Sequence, residues 1–263
     1  MKFSALFLAA GLALAGLVSA APSSSIGLGL DVTPAKLDIS VPAGSSENIP
    51  ITVHNSSGSG THVQASMADF TVTGQGQYEF AKVGSMPYSL MRWASINPRE
   101  FDLPQDTTEQ VRLTLAVPAG EKLTGEYAGV VFFQTRPERR KGAISFSARI
   151  AAKVYATVPG TVKLSGAIEK VSASASSGGE SYRVLFANLG NAHVYLNGRI
   201  EVRQNGTTIE RVNMPPQLLV ERGGKRLIEV TGKALPAGSY QVVAIIDYGG
   251  AALTGGEAQI VVH

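Results

Sequence analysis

Histidine is the side chain most often used for proton transfer near neutral pH, and this sequence contains four of them. They are His54, His62, His193 and His263, and none lies in a motif such as G-x-S-x-G or H-E-x-x-H. His54 and His62 flank a turn at 55–60 and could face each other as two metal ligands, but no third ligand is visible. The pattern therefore favours solvent-exposed loop histidines over a metal site or a hydrolase site.

The carboxylates, glycines and the single tryptophan give no clearer chemistry. No two acidic residues have the spacing of a general acid and a general base. Segment 247–250 lacks the helix and the lysine that a phosphate loop needs, so it is interpreted as a hairpin turn. Trp93 is predicted to anchor a core rather than to bind a sugar. The chain has no cysteine, which excludes thiol catalysis and thiolate metal sites. We expect no enzyme activity, no cofactor and no metal, and an enzyme or carbohydrate-binding module is the least favoured hypothesis.

The most distinctive segment is 142–159, with the sequence GAISFSARIAAKVYATVP. Its apolar residues share one parity and most of its polar residues share the other, which predicts a β-strand. The alternation continues for about fifteen residues, whereas strands usually have about five or six. We therefore expect part of this strand to extend past its own sheet and to form the working surface.

The rest of the chain predicts an all-β protein with two immunoglobulin-like β-sandwich domains in tandem. Runs rich in Val, Ile, Thr and Tyr recur between Gly and Pro turns, and no long helical pattern follows the N-terminal segment. The first half is predicted to contain strands near 31–41, 48–55, 61–72, 89–96, 109–116 and 126–135, followed by the long alternating segment. The second half is predicted to contain strands near 162–171, 182–188, 193–204, 208–212, 226–231, 239–247 and 257–262. The Asn205-Gly206 pair is the strongest hairpin signal.

The two halves also resemble each other in sequence. Segments 49–55 and 182–188 are alternating strands that each end at an asparagine. Tyr127 and Tyr240 each follow a Pro-Ala-Gly turn and begin a strand rich in Val, Ile or Phe. A tyrosine in this place is typical of the tyrosine corner of immunoglobulin-like sandwiches. Two domains of one fold explain these parallels, and chance similarity between β-sequences is the alternative.

The N-terminal segment is typical of a secretory signal. Residues 1–20 contain a positive charge at Lys2, an apolar run at 6–18 and a small-residue cleavage site. The mature chain is then expected to form domains at 21–158 and 159–263. No later segment is long and apolar enough to span a membrane. A net charge of +3 is too small to indicate nucleic-acid binding.

Several short motifs resemble those of the periplasmic chaperones of pilus and fimbrial assembly, the PapD-like proteins with two immunoglobulin-like domains. The motifs are TPAKLDI at 33–39, Trp93 followed by Asn97-Pro98, QVRL at 110–113, the alternating segment from Ile144 to Tyr155, and NLGN at 188–191. The resemblance covers nearly the whole mature chain. It implies a periplasmic chaperone whose partner is a pilus-type or fimbria-type subunit, and it allows an outer-membrane assembly platform as a second partner.

The resemblance also assigns roles to individual residues. Lys36 and Lys153 correspond to a basic pair that holds the subunit's C-terminal carboxylate in the cleft between the domains. The residues that correspond to the donor-strand plug, which fills the groove of a subunit lacking its last strand, are Ile144, Phe146 and Ala148, with Ile150 as a further candidate. The first basic position usually carries arginine in this family, and Lys36 lacks the bidentate fork of arginine.

The same mechanism can be argued from physical chemistry. An incomplete sandwich exposes an unpaired edge and an apolar groove, and a donated strand supplies main-chain hydrogen bonds and side chains to both. Burial of each large plug residue would contribute about 1.5–3 kcal/mol, so the plug should dominate affinity. The lysine pair should mainly set the register. The alternative is a secreted structural or adhesive protein with two immunoglobulin-like domains, in which the long strand is used by its own sheet.

Overall fold

The computed structural model of the chain describes residues 29–119, 122–137, 147–176 and 178–263. These residues form two β-sandwiches in tandem, as the sequence predicts. The helical structure in this part of the chain is a single 3-10 turn at Met91–Trp93, and it contains no helix long and apolar enough to cross a membrane. The predicted signal segment and two plug residues, Ile144 and Phe146, lie outside the described residues.

The first sandwich is built from ten strands, β1 Asp31–Thr33, β2 Lys36–Ser40, β3 Ser46–His54, β4 Thr61–Val72, β5 Tyr78–Ala81, β6 Ala94–Asn97, β7 Glu100–Leu103, β8 Thr108–Ala116, β9 Glu126–Thr135 and β10 Arg149–Thr157. One sheet has the order β1-β3-β8-β6 and the other has the order β2-β10-β9-β4-β5, with β7 also paired to β4. Alternate residues of both sheets fill the core between them, including Ile51, Leu113, Phe133 and Val154.

The second sandwich is built from eight strands, β11 Gly166–Ser176, β12 Gly179–Asn188, β13 Val194–Gln204, β14 Thr207–Asn213, β15 Leu218–Val220, β16 Lys225–Thr231, β17 Gly238–Asp247 and β18 Thr254–Val262. Its sheets have the orders β11-β12-β16 and β14-β13-β17-β18, with β15 also paired to β13. Tyr182, Phe186, Ile200 and Val242 lie in its core.

A buried asparagine performs the same task in each sandwich, which confirms the internal repeat. Asn55 Nδ2 donates to the carbonyls of Ser59, Leu103 and Pro104, and its Oδ1 accepts from the Ser57 amide. In the second sandwich, the side-chain amide of Asn188 donates to the carbonyls of Ala192, Val220 and Glu221, and its Oδ1 accepts from the Gly190 amide. Each asparagine therefore joins its own turn to the end of a distant strand, and satisfies backbone groups that the sheets leave unpaired.

The tyrosine corner is present in the second sandwich, where the Tyr240 hydroxyl donates to the Pro236 carbonyl at 2.8 Å. In the first sandwich the corresponding Tyr127 ring packs on Trp93, with 4.6 Å between ring centroids. The predicted hairpin at Asn205-Gly206 joins β13 to β14, and both residues have positive φ, at 49° and 80°. This conformation fits the type I′ turn that an Asn-Gly pair favours.

Two predicted strands of the first half differ in the structure. The predicted strand at 31–41 is two strands, because β1 pairs with β3 in one sheet and β2 pairs with β10 in the other. Pro34 lies at this crossing and has no N–H to donate to a ladder. The predicted strand at 89–96 is instead the 3-10 turn followed by β6, so Trp93 is half-buried at the core margin rather than central in a strand.

Candidate functional site

The crossing after β1 places Lys36 at the start of β2, where it lies directly beside Lys153 of β10. The two strands are parallel, and these residues are register partners. Neighbours in such a register project from the same face of the sheet. Ala152 and Val154 face the sandwich core, so Lys153 and Lys36 project from the opposite, outer face. The structure thus brings together the two lysines of the predicted basic pair.

Lys36 is held by groups from both sandwiches. Its Nζ donates to the Tyr195 hydroxyl of β13 at 2.9 Å and lies 2.9 Å from Asp38 Oδ2. The same Nζ is 5.0 Å from the Tyr195 ring centroid and 5.1 Å from the Tyr155 ring centroid. Partial burial of the ammonium lowers the pKa of Lys36, but its hydrogen bonds with Tyr195 and Asp38 outweigh this effect and raise the pKa above its ordinary value. Lys36 is therefore a cation at neutral pH.

Lys153 has a similar phenol partner. Its Nζ donates to the Tyr78 hydroxyl at 2.8 Å and lies 4.9 Å from the Tyr78 ring centroid. Tyr78 belongs to β5, at the far edge of the same sheet, and 40% of this residue is exposed. Each lysine of the pair is therefore in contact with one tyrosine hydroxyl.

The outer face around Lys153 is apolar and cationic. Phe70, Val130, Phe132 and Tyr155 form a buried cluster on this face. The Arg149 guanidinium lies 3.5 Å from the Phe132 ring centroid, which is a cation–π contact. The outer faces of sandwich sheets usually carry polar residues, so this composition marks the face as an unusual surface.

A polar layer beneath the lysines joins the two sandwiches. The Tyr155 hydroxyl donates to Glu221 Oε1 at 2.7 Å, and His193 Nδ1 lies 2.7 Å from Glu126 Oε2. Burial raises the pKa of the Glu221 carboxyl above its ordinary value. Burial also raises the pKa of the Tyr155 phenol, and the neighbouring Glu221 adds to this effect. Arg222 of the second sandwich also belongs to this layer, because its guanidinium donates to the carbonyls of Thr124 and Glu126 in the first sandwich.

A cavity of about 80 Å³ lies at the side of this layer. It is lined by apolar groups such as Phe70 and Met86 together with Glu126, Glu221 and Arg222. A second contact between the sandwiches is made by the tip of the β4–β5 hairpin.

At this tip the Leu227 amide of β16 donates to the Gly74 carbonyl at 2.9 Å. Gly76 has φ +88°, and a Cβ at this position would overlap the Arg226 guanidinium. The hairpin that presents Tyr78 is thus attached to the edge strand of the second sandwich.

The N-terminal end of β10 has a free edge within the described part of the chain. Thr135 of β9 donates to the Ala148 carbonyl, whereas the Lys153 amide donates to Ala35 on the other side. Because peptide groups alternate along a strand, those of Arg149 and Ala151 face the same side as the Lys153 amide. The β2 register begins only at Lys36 opposite Lys153. No described strand pairs with Arg149 and Ala151 on that side.

The structure places two of the four predicted plug residues. Ile150 is half-buried and packs against the core of its own sandwich, and Ala148 is also half-buried. The described strand runs over Arg149–Thr157 and therefore ends before the predicted Pro159. Ile144 and Phe146 lie outside the described residues, so the plug as a whole stays a prediction.

Sequence reasoning missed Tyr78 and Tyr195. Tyr78 lies in the short strand β5, which was not predicted. Tyr195 lies in a predicted strand, but nothing in the local pattern distinguishes it from other alternating aromatic residues. His54 and His62 lie on β3 and β4, which belong to different sheets, and each has its own acidic partners. His54 lies 3.3 Å from both Asp31 and Asp106, and His62 Nδ1 lies 2.7 Å from Asp102.

Comparison with known proteins supports the fold and no more. No family model and no curated protein matches the sequence. The solved structure of the class 5 fimbriae chaperone CfaA matches with a TM-score of 0.50 and 14% identity, over 89% of this chain and 100% of that chain. A chaperone–tip adhesin complex of CFA/I fimbriae biogenesis matches with a TM-score of 0.49 and 13% identity, over 89% of this chain and 99% of that chain. The CsuC–CsuE pre-assembly complex of Acinetobacter baumannii Csu pili matches with a TM-score of 0.47 and 11% identity, over 87% of this chain and 97% of that chain.

At such low identity the likeness to CfaA concerns the fold alone. It confirms, at the level of the fold, the resemblance suggested by the sequence motifs. The chain has the tandem two-sandwich fold that is also seen in a fimbrial chaperone.

Proposed function

We propose that this chain is a periplasmic, non-enzymatic chaperone that binds and caps β-rich subunits of the pilus or fimbria type by donating the strand at 142–154. In this proposal residues 1–20 are a cleaved signal, and 21–158 and 159–263 are the two domains. The observation that carries it is the register of Lys36 beside Lys153 at the point where the edge of β10 becomes free.

The proposal includes a mode of client binding. A client chain whose terminal carboxylate meets Lys36 and Lys153 would extend along the free edge beside Arg149 and Ala151. Its direction would then be parallel to β10, as that of β2 is. Main-chain hydrogen bonds to this edge supply affinity that does not depend on the client's sequence.

Affinity and register have separate sources in this proposal. Ile144 and Phe146 would fill the client's groove and contribute about 1.5–3 kcal/mol each. The lysine pair would fix where the client chain ends, since charge complementarity contributes more to specificity than to affinity. An outer-membrane assembly platform is a further proposed partner of the chaperone–client complex.

One observation favours the alternative of a structural or adhesive protein with two immunoglobulin-like domains. Ile150 packs against its own core, and Ala148 is bonded through its backbone to Thr135. In that alternative, the segment before β10 completes its own sheet and no client is captured.

A pull-down from the periplasm of the source cells separates the two functions. The full chain, the Lys153→Ala variant, the Phe146→Asp variant and a Lys170→Ala control are used as bait, because Lys170 is an exposed lysine on β11. We expect a β-rich subunit to co-purify with the wild type and the control and to be lost in the other two. Equal thermal stability of the four proteins excludes misfolding. Unchanged capture by both site variants would refute capture through Lys153 and Phe146, and the absence of any co-purified subunit with the wild type would favour the structural alternative.

A further inference from the structure

Each lysine of the basic pair donates its hydrogen bond to a phenol oxygen. Lys36 donates to Tyr195 at 2.9 Å, and Lys153 donates to Tyr78 at 2.8 Å. A tyrosine hydroxyl that accepts a hydrogen bond retains its own hydrogen for donation. Among the described residues, none accepts a hydrogen bond from either hydroxyl. Two phenol donors therefore lie beside the two ammonium groups.

Packing fixes both phenol rings. The Tyr78 ring lies 5.9 Å from the Phe70 ring and 6.4 Å from the Phe80 ring, nearly parallel to the latter. The Tyr195 ring meets the His193 ring edge-on, at 5.3 Å and 90°. The two hydroxyls are thus presented by different sandwiches, on rings whose positions neighbouring side chains hold.

Lys36 already shows that a carboxylate and a phenol can be bound together. Its Nζ lies 2.9 Å from Asp38 Oδ2 while it also donates to Tyr195 at 2.9 Å. The carboxylate and the hydroxyl thus share one ammonium without displacing each other. A ligand carboxylate between Lys36 and Lys153 would meet the same pair of groups on each side.

The stoichiometry and the direction of the donors suit a carboxylate. Its two oxygens offer about four acceptor positions, and the two ammoniums and two phenols supply four donating groups. An ammonium acts as a point charge with rotating donors, so a lysine pair alone gives little directionality. A phenol on a fixed ring instead donates from an oxygen whose position is fixed. The tyrosines would supply the geometric selectivity that an arginine fork provides elsewhere.

We infer that Tyr78 and Tyr195 are specificity-determining residues that donate to the ligand's C-terminal carboxylate and select it over a neutral terminus. This inference rests on the proposed function, since it concerns the same anchor. A terminal carboxamide would present its NH₂ group to donors and leave at least one of them without an acceptor.

The test uses two probes that differ only at their C-terminus. A fluorescein-labelled peptide of about twelve alternating valine and serine residues is prepared as the free acid and as the carboxamide. Each is titrated against the full mature chain by fluorescence anisotropy. We expect the wild type to bind the acid at least about tenfold more tightly than the amide. Tyr78→Phe and Tyr195→Phe should each reduce that ratio about fivefold or more, mainly by weakening binding of the acid.

Two further variants distinguish the outcomes. Tyr248→Phe removes a hydroxyl from a ring packed on Phe186 in the second sandwich. It should change neither the dissociation constant of the acid peptide nor that of the amide peptide. Lys153→Met should abolish the acid preference. If both tyrosine variants keep the wild-type ratio of acid to amide affinity while Lys153→Met loses it, the result supports the lysine pair as the carboxylate anchor. The inference about the tyrosines is then overturned. A wild type with no acid preference, including one that binds neither peptide, overturns the inference together with the proposed anchor.

Discussion

Tyr155 on β10 donates a 2.7 Å hydrogen bond to Glu221 of the second sandwich, so the strand that carries Lys153 is fastened across the domain interface by a buried pair. The same carboxylate is influenced by His193, Glu126 and Lys153. The interface is therefore an electrostatic unit as well as a packing contact, and its stability should depend on pH.

Glu221→Gln should raise stability at neutral and higher pH. Burial raises the pKa of Glu221, so the folded state binds its proton more tightly than the unfolded state does. This stabilising contribution is fully present below the ordinary carboxyl pKa and is lost as the pH rises through the folded-state pKa. Glutamine still accepts from Tyr155 but never ionises. Melting temperatures of both proteins between about pH 4 and pH 8 should differ most at the alkaline end, and identical curves would contradict the assignment.

Asp38→Asn should tighten binding of a peptide that ends in a free carboxylate. Asp38 pairs with Lys36 at 2.9 Å and competes with the ligand for that ammonium. The aspartate is largely exposed, so the gain should not exceed about fivefold, the upper range for a surface ion pair. Anisotropy titration with the acid peptide measures the gain. Glu47→Gln on β3 serves as a control for the loss of one negative charge, and equal effects of the two substitutions would show that only net charge matters.

Asn55→Ala and Asn188→Ala should each destabilise the chain by about 2–4 kcal/mol, because each leaves buried carbonyls without a donor. Asn213→Ala, at the exposed end of β14, should lower the free energy of unfolding by less than about 0.5 kcal/mol. Chemical unfolding followed by circular dichroism measures these changes. Similar losses in the free energy of unfolding for Asn55→Ala and Asn188→Ala would support equivalent roles. If either substitution lowers the free energy of unfolding no more than Asn213→Ala does, the equivalent roles are refuted.

Gly76→Ala should loosen the contact between the β4–β5 hairpin and β16. The substitution adds a Cβ at a positive φ and displaces the Arg226 guanidinium. Gly206→Ala is a matched control, since Gly206 also has a positive φ, at +80°, but its Cβ would meet nothing within 4 Å. Spin labels on the two sandwiches should report a broader distance distribution for Gly76→Ala alone. Equal distributions in both variants would show that the hairpin contact does not hold the sandwiches together.

Local patterns in the sequence predicted most of the fold. Alternation and turn residues located the strands β4 and β9 and the hairpin at Asn205-Gly206, because these features depend on neighbouring residues. The split of the first predicted strand depends instead on which sheet each half joins. The strands β5, β7 and β15 were missed because three or four residues are too few to show a period.

The candidate site was less predictable for a similar reason. The pairing of Lys36 with Lys153 was expected from the resemblance to a known family, and the register of β2 and β10 places them together. Their phenol partners are 159 and 75 residues away along the chain. No local pattern records contacts over such separations, so Tyr78 and Tyr195 could be found only from the structure.

The origin of Tyr195 in the second sandwich has a consequence for biogenesis. Lys36, Lys153 and Tyr78 come from one lobe and Tyr195 comes from the other, so neither lobe alone carries the whole set of donors. In the proposed mechanism, a polypeptide cleaved in the linker would keep the free edge of β10 but lose one of the four groups that recognise a chain end. If the proposed anchor is correct, selectivity for a terminal carboxylate would be acquired only after both lobes have folded and docked, and a half-made molecule would not engage its ligand in the mature way.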